Sequence, residues 1–267
     1  TIQSGDNDTN GISIGANALA LNSGTIRDVA GNDGTLTHSL VDNNSSYKVD
    51  TTAPSVSSFT MNDTELKIGD NATVTLVFSE TVILFNSDDD ITHPNGELST
   101  MTSSDNITWI GYFTPTDDTE DDNNTLSLTD ESYTDLAGNL GPDNQTANYE
   151  VDTREPTVSS VAITSASGIQ NSFVNAGDNV SVTATFSEAV IVDNSSGNPT
   201  ITIVVGSDNR TATYTSGSGS DDLVFQYTIQ ATGTSGENDD NGISIPANAI
   251  ALNSGTIKDV AGNDGIL

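Results

Sequence analysis

The chain has 267 residues, 38 of them Asp or Glu and only six Lys or Arg, for a formal net charge of −32. Such a field repels nucleic acid and anionic membranes and suits divalent cations or a solvated surface, and no apolar run approaches the roughly 18 residues that span a bilayer. The absence of cysteine excludes a disulfide framework and any thiolate zinc site, and it leaves the redox compartment open.

Asn, Ser, Thr, Gly and Asp dominate, and the apolar residues fall into short alternating runs, a β composition. The opening "TIQSGDNDTN" is not a signal peptide, so an exported protein would carry its targeting segment outside this sequence. The acidic loop "DNDTNGISI" (6–14) comes first, followed by "GANALAL" (15–21), which allows one helical turn, and by the turn "DVAGNDG" (28–34). "THSLVDNNSSYKVD" (37–50) reads as a closing strand. "VDTTAPSV" (49–56) is a linker in which Pro54 fixes φ and keeps the preceding residue extended. Next comes an alternating strand ending in Ser-Glu, "ATVTLVFSE" (72–80), and then "NSDDDI" (86–91), which reads as a solvated edge. "ITWIGYFT" (107–114) puts Ile107, Trp109 and Phe113 on one face, which makes the single Trp a core residue. "EDDNNTLSL" (120–128), "DLAGN" (135–139) and a second linker, "VDTREPTV" (151–158) with Pro156, complete that stretch. In "VSVTATFSE" (180–188), Val180, Val182, Ala184 and Phe186 share a face while Ser181, Thr183, Thr185 and Ser187 face water. "PTITIVVG" (199–206) and "DDLVFQYTIQ" (221–230) are further strands, before "ENDDNGISI" (237–245) and a second "DVAGNDG" (259–265).

Internal repeats decide the architecture. Residues 1–36 match 232–267 without a gap, Asp28 and Asp259 standing 231 residues apart. The linkers and Ser-Glu strands repeat at a shorter spacing, Asp50 and Asp152 standing 102 apart. The expected fold is all-β: tandem immunoglobulin-like β-sandwich domains arranged end to end. Residues 1–50 would be the C-terminal part of one domain, 51–152 a complete domain, and 153–267 a domain lacking its last strand. The ungapped duplication favours a much longer array continuing beyond this sequence; a strand supplied by a neighbouring chain is the alternative.

The succession "VDTTAPSV…VTLVFSE…DLAGN…YEVDT" resembles the bacterial Ig-like domains found in tandem in very large cell-surface adhesins, over all of 51–152 and less closely over 1–50 and 153–267. The resemblance implies an extracellular, non-catalytic, repeat-built stalk on the cell surface, often calcium-dependent, whose partners are neighbouring repeats and beyond them other cells or surface glycans.

In seven-strand sandwich topology the linker, the end of the second strand and the turn before the last strand meet at one pole. This gathers Asp50, Glu80 and Asp135 in the central domain and Asp152, Glu188 and Asp259 in the third, with Asp28 the counterpart in the first. The opposite pole carries Asp6, Asp8, Asn10; Glu120, Asp122, Asn124; and Glu237, Asp239, Asn241, each a set of oxygen side chains at alternate positions. A hard Ca²⁺ ion takes six to eight such oxygens, so both poles are candidate ligands where domains meet. The loop at 6–17 is no EF-hand, because Asn17 stands where a bidentate Glu belongs. The alternative is that Asp and Asn merely favour turns. That accounts for Gly31, Gly138 and Gly262, and for Asn32, Asn139 and Asn263, but not for Glu80 and Glu188, since Glu is no turn former.

Catalysis has little support. His38 and His93 share no ligand motif, neither a G-x-S-x-G elbow nor a P-loop is present, and carboxylates that repeat at domain ends are not one unique cleft. Three readings remain: a calcium-stiffened stalk of a surface adhesin or fibre, a filament subunit assembled by strand exchange, and a calcium-dependent carbohydrate-binding module. With only 5% aromatic residues to build a sugar platform, the stalk leads.

Overall fold

A computed structural model describes residues 1–231 and 237–267; the start of the second long-repeat copy, 232–236, lies outside the described residues. Two buried clusters organise the chain, one spanning Phe59 to Val151 and the other Val182 to Ile257.

Strict alternation builds the central body. In the strand Ala72–Phe78, Ala72, Val74, Leu76 and Phe78 point inward and are at most 1% exposed. This strand lies between Val56–Met61 and Thr108–Pro115, both antiparallel, with Gly96–Leu98 at the outer edge of the four-stranded sheet. The facing layer is made of shorter pieces. Its key strand, Tyr149–Asp152, pairs antiparallel with Glu120–Asn124 and parallel with Glu65–Leu66. Ile91–Thr92, Ser127–Leu128 and Asn144–Gln145 form a second ribbon, and Val82–Ile83 with Thr134–Asp135 a third. Phe78 against Tyr133 and Phe113 against Tyr149, at centroid distances of 4.6 and 5.1 Å, join the layers. Trp109 sits at the rim of this core, half-buried and 4.8 Å from Phe85.

The segment 86–91 differs from the expected solvated edge. Ser87–Asp90 is a single helical turn capped by Asn86, whose side chain accepts from the Asp88 amide, and Ser87 is buried with its hydroxyl on the Met101 amide. The consecutive carboxylates sit on the first turn, where free N–H groups favour negative charge.

Residues 157–267 correct the expected two-sheet sandwich. Val158–Ala166, Asn179–Asp193, Ser220–Thr228, Asp208–Ser216, Thr200–Val205 and Ile250–Ala251 follow one another in a single curled sheet. The cause is the 15-residue strand Asn179–Asp193. A register shift between Thr185 and Val190 bends it, so that its first part pairs with Ser220–Thr228 and its end with Thr256–Lys258. A bulge of this kind increases twist and carries a sheet around its own core. The expected inward residues Val180, Val182, Ala184 and Phe186 are buried, and Ser181, expected to face water, is buried as well.

Residues 1–48 form two ribbons and no core. Asn7–Asp8 pairs with Val49–Asp50, and Ile12–Ile14 with Val41–Asn44. Gly11 is the one buried residue ahead of Val49; its φ of +102° and the Asn44 carbonyl only 2.2 Å from where a Cβ would stand both require glycine.

Candidate metal centres

The repeated Asp-x-Ala-Gly-Asn turn folds the same way each time. In the central copy the Asp135 amide donates to the Asn139 carbonyl and the Gly138 amide to the Asp135 carbonyl, with Gly138 at φ +92° to close the turn. Asp135 Oδ1 accepts from the amides of Ala137 and Asn139 at 2.8 and 2.9 Å, and Oδ2 from Asn139 Nδ2 at 2.7 Å. In the C-terminal copy Asp259 Oδ1 accepts from Gly262 and Asn263 at 2.6 and 2.8 Å, and Oδ2 from Asn263 Nδ2 at 2.8 Å. The turn thereby fixes a carboxylate that is 1% exposed at Asp135 and 2% at Asp259.

Each buried Asp meets two more acids. Asp50 and Glu80 join Asp135, Asp152 and Glu188 join Asp259, and in each triad one oxygen per residue lies within 4.8 Å of the others. The linkers deliver Asp50 and Asp152. Glu80 follows the end of the Ala72–Phe78 strand, and Glu188 lies at the bend of its long counterpart. Burial first, and then the charges of Asp135 and Asp50, raise the Glu80 carboxyl above its ordinary value of 4.5. Glu188 is raised by burial, then Asp152, Asp259 and Glu120. Asp152 is raised by burial, with Asp259 and Glu120 adding to it against hydrogen bonding and charge from Arg154. Asp135 goes the other way: burial pushes it up, but the hydrogen bonds from Asn139, Ala137 and Gly138 together hold it below 3.8. Each cluster therefore packs a rigidly hydrogen-bonded, buried Asp against two further acids. All-oxygen donors at this spacing fit a hard divalent cation, which favours carboxylate and carbonyl ligands.

The two centres differ in their surroundings. Glu120 lies opposite Asp152 in the strand register and binds Arg154 Nη1 at 2.9 Å, an exposed and hence weak pair. At the first centre Asn7 stands opposite Asp50, and Thr52 occupies the linker place of Arg154. Of the opposite-pole residues, Glu120 adds its charge to the second triad. Asp6 and Asp8 cap the amides of Gln3 and of Asn10 and Gly11. Asp122 and Asn10 are exposed, and Asn124 is buried, donating to the Asp121 and Tyr149 carbonyls. Glu237 is held by Arg210, Tyr227 and the Gln230 amide, while Asp239 caps Gly206, Gly242 and Asn241. Asp6, Asp8, Asp239 and Glu237 thus satisfy backbone N–H groups. Asp28 repeats the turn with Asn32 but stands exposed and belongs to no group of three acids among the described residues.

Asn139 and Asn263 close their turns without positive φ, and their side chains also reach beyond the turn. Asn139 Nδ2 also reaches the carbonyls of Asp50 and Thr52, each at 3.2 Å. Asn263 goes further: its Nδ2 donates to the Asp152 carbonyl at 2.8 Å and its Oδ1 accepts from the Ile68 amide at 2.9 Å, tying the C-terminal body to the central one. The asparagine at a fixed place in every repeat was the visible signal. Asn263→Ala is expected to speed amide exchange at Ile68 while leaving Val74 and Leu76 unchanged, each lost bond counting about 0.5–1.5 kcal/mol. Unaltered exchange at Ile68 would show that the bond does not hold the junction.

Residues 50–151 match the family described as bacterial Ig-like domain, which makes this stretch one such domain. No curated protein and no solved structure matches the chain. Domains of this family are common on surface proteins and usually non-catalytic, and no helix among the described residues is long and apolar enough to cross a membrane.

Proposed function

We propose that this chain is a spacer segment of a long extracellular surface adhesin or fibre, its domains set end to end and its junctions stiffened by calcium. The division into 1–50, 51–152 and 153–267 belongs to this reading, with neighbouring repeats as the immediate partners. One observation carries it: the same three acids recur at both linkers, in Asp50–Glu80–Asp135 and Asp152–Glu188–Asp259, each set uniting a linker residue with two acids of the following body. Carboxylates packed together at a linker repel, by about 1 kcal/mol per pair at 4 Å even in bulk water, and a bound cation converts that repulsion into a clamp. A loose linker would serve reach equally well without such a cluster; stiffness is what the cluster adds.

Small-angle scattering tests the reading. With calcium the particle is expected to be extended and uniform, and with excess chelator shorter on average and more variable. Identical curves under both conditions would remove calcium from the junctions.

A further inference from the structure

The threonine that follows each linker acid is tied to what precedes the linker. Thr153 is buried. Its hydroxyl donates to the Thr116 carbonyl at 2.6 Å and accepts from the Thr119 amide at 3.0 Å, and its own amide donates to the Thr119 carbonyl at 2.8 Å. Thr116 and Thr119 lie in the central body, in the turn leading into Glu120–Asn124. Thr51 repeats the arrangement 102 residues earlier: its hydroxyl accepts from the Gly5 amide at 2.8 Å and donates to the Asp6 carbonyl at 3.0 Å. The acids just before these threonines also belong to preceding ladders, Asp50 opposite Asn7 and Asp152 opposite Glu120.

Four residues on, the attachment changes sides. The Thr157 amide donates to Ser187 Oγ at 3.0 Å and the Ser187 amide to the Thr157 carbonyl at 2.8 Å. Ser55 and Ser79 are joined in the same way at 2.9 and 2.8 Å. Ser79 and Ser187 are the serines of the two Ser-Glu pairs, so the serine ties the linker exit to the following body while the glutamate beside it joins the acid triad. Between the two attachments stand Thr52-Ala53-Pro54 and Arg154-Glu155-Pro156, in each of which the proline is buried and the two residues before it are exposed. Proline fixes its own φ and keeps the preceding residue extended, so little rotation remains outside those two exposed residues. The side chain of Arg154 reaches Asp118 and Glu120 only through exposed pairs, which restrain it weakly.

We infer that each junction turns on a two-residue pivot, Thr52–Ala53 and Arg154–Glu155, with Thr51 and Thr153 as the positioning residues that make the linker acid part of the preceding body. Everything from the proline onward moves with the following body. Asp152 is then presented by the central body to Glu188 and Asp259 of the next, so the triad spans the pivot instead of lying on one side of it. Asn263 spans it too, through the Asp152 carbonyl and the Ile68 amide. This deepens the spacer reading and rests on it for its purpose, since it states where such a junction bends and what an ion there would lock. The threonine and serine attachments themselves are hydrogen bonds within the chain and hold with or without an ion.

The test uses the full chain stripped with chelator. Amide exchange is expected to leave Thr119, Thr153, Thr157 and Ser187 protected; loss of protection at Thr119 and Thr153 would overturn the inference, because the linker would then be leaving the preceding body. Bending is read as the distance distribution between nitroxides on Glu97→Cys and Asp221→Cys, exposed positions in a chain without other cysteines. Thr153→Val is expected to speed exchange at Thr119 about two- to twelvefold, the factor for one lost hydrogen bond, and to broaden the distribution. Thr153→Ser keeps the hydroxyl and should match the unaltered chain. Glu155→Gly frees the pivot and should broaden the distribution with all four amides still protected. A valine or glycine variant as narrow as the unaltered chain, or a serine variant as broad as the valine one, would overturn the inference. Calcium is added last: a distribution of the unaltered chain that calcium leaves unchanged would refute the calcium reading alone, while the chelator measurements decide the pivot.

Discussion

Replacing Tyr149 by alanine is expected to cost the central sandwich about 3–5 kcal/mol, the range for deleting a buried aromatic ring. The ring is fully buried, meets Phe113 edge to face at 5.1 Å and donates its hydroxyl to the Pro94 carbonyl. Burial and the nearby Asp121 charge raise the phenol well above its ordinary value, so it remains a neutral donor throughout the physiological range. Alanine would leave a cavity between the layers and an unpaired carbonyl at Pro94. Tyr149→Phe keeps the ring and removes only the hydrogen bond, at about 0.5–1.5 kcal/mol. Chemical denaturation, with the C-terminal body as an internal reference, separates the two variants. A loss below about 1 kcal/mol for the alanine variant, the scale of ordinary surface changes, would mean that this strand does not close the core.

Calcium is expected to have the second large effect. At a free concentration 100 times the dissociation constant, each occupied centre adds roughly 2.7 kcal/mol of stability. Glu188→Ala should abolish the contribution of the second centre and leave the first, and Glu80→Ala the reverse. The pH dependence has a defined sign. Glu80, Glu188 and Asp152 have folded values raised above their ordinary ones, so without metal the folded chain binds protons more tightly than the unfolded chain. Chelated protein should therefore gain stability as pH falls from neutrality towards the ordinary glutamate value of 4.5 and lose it as pH rises through the raised values. Calcium needs the ionised carboxylates, so its increment is largest near neutrality and shrinks over the same interval as protons compete for the oxygens. Calcium-dependent melting that does not weaken on acidification would place the ion elsewhere.

Much of this was legible before any coordinates. The alternation in "ATVTLVF" fixes which face of that strand is buried, because side chains in a strand point to opposite faces in turn. The recurrence, in the same order, of linker, Ser-Glu and Asp-x-Ala-Gly-Asn was enough to bring six acids together as two triads, since topology places those three segments at one end of each body. What the residues did not reveal was shape at longer range. The strand "VSVTATFSE" reads as ending at Ser-Glu, yet it runs on to Asp193 through a register shift after Thr185 that bends the C-terminal sheet; a bulge has no compositional mark here. In the loops around Asp8 and Asp239 the acidic side chains cap backbone N–H groups, and Asp and Asn spacing is the same whether such oxygens face an ion or a backbone amide. The recurring asparagine was visible in the sequence, but the role of Asn263 was not: its type suits a turn, and only its contacts with Ile68 and Asp152 disclose a tie between bodies.

The central claim is that the two acid triads bind calcium as separate, equivalent-position centres. Calorimetric titration of chelator-stripped protein measures this directly by counting ions. The account predicts two tight sites on the unaltered chain, one on Glu80→Ala, one on Glu188→Ala and none on the double variant, all four retaining the same strand content. Absence of saturable binding to the unaltered chain, or a stoichiometry that the two glutamate substitutions leave unchanged, would contradict it.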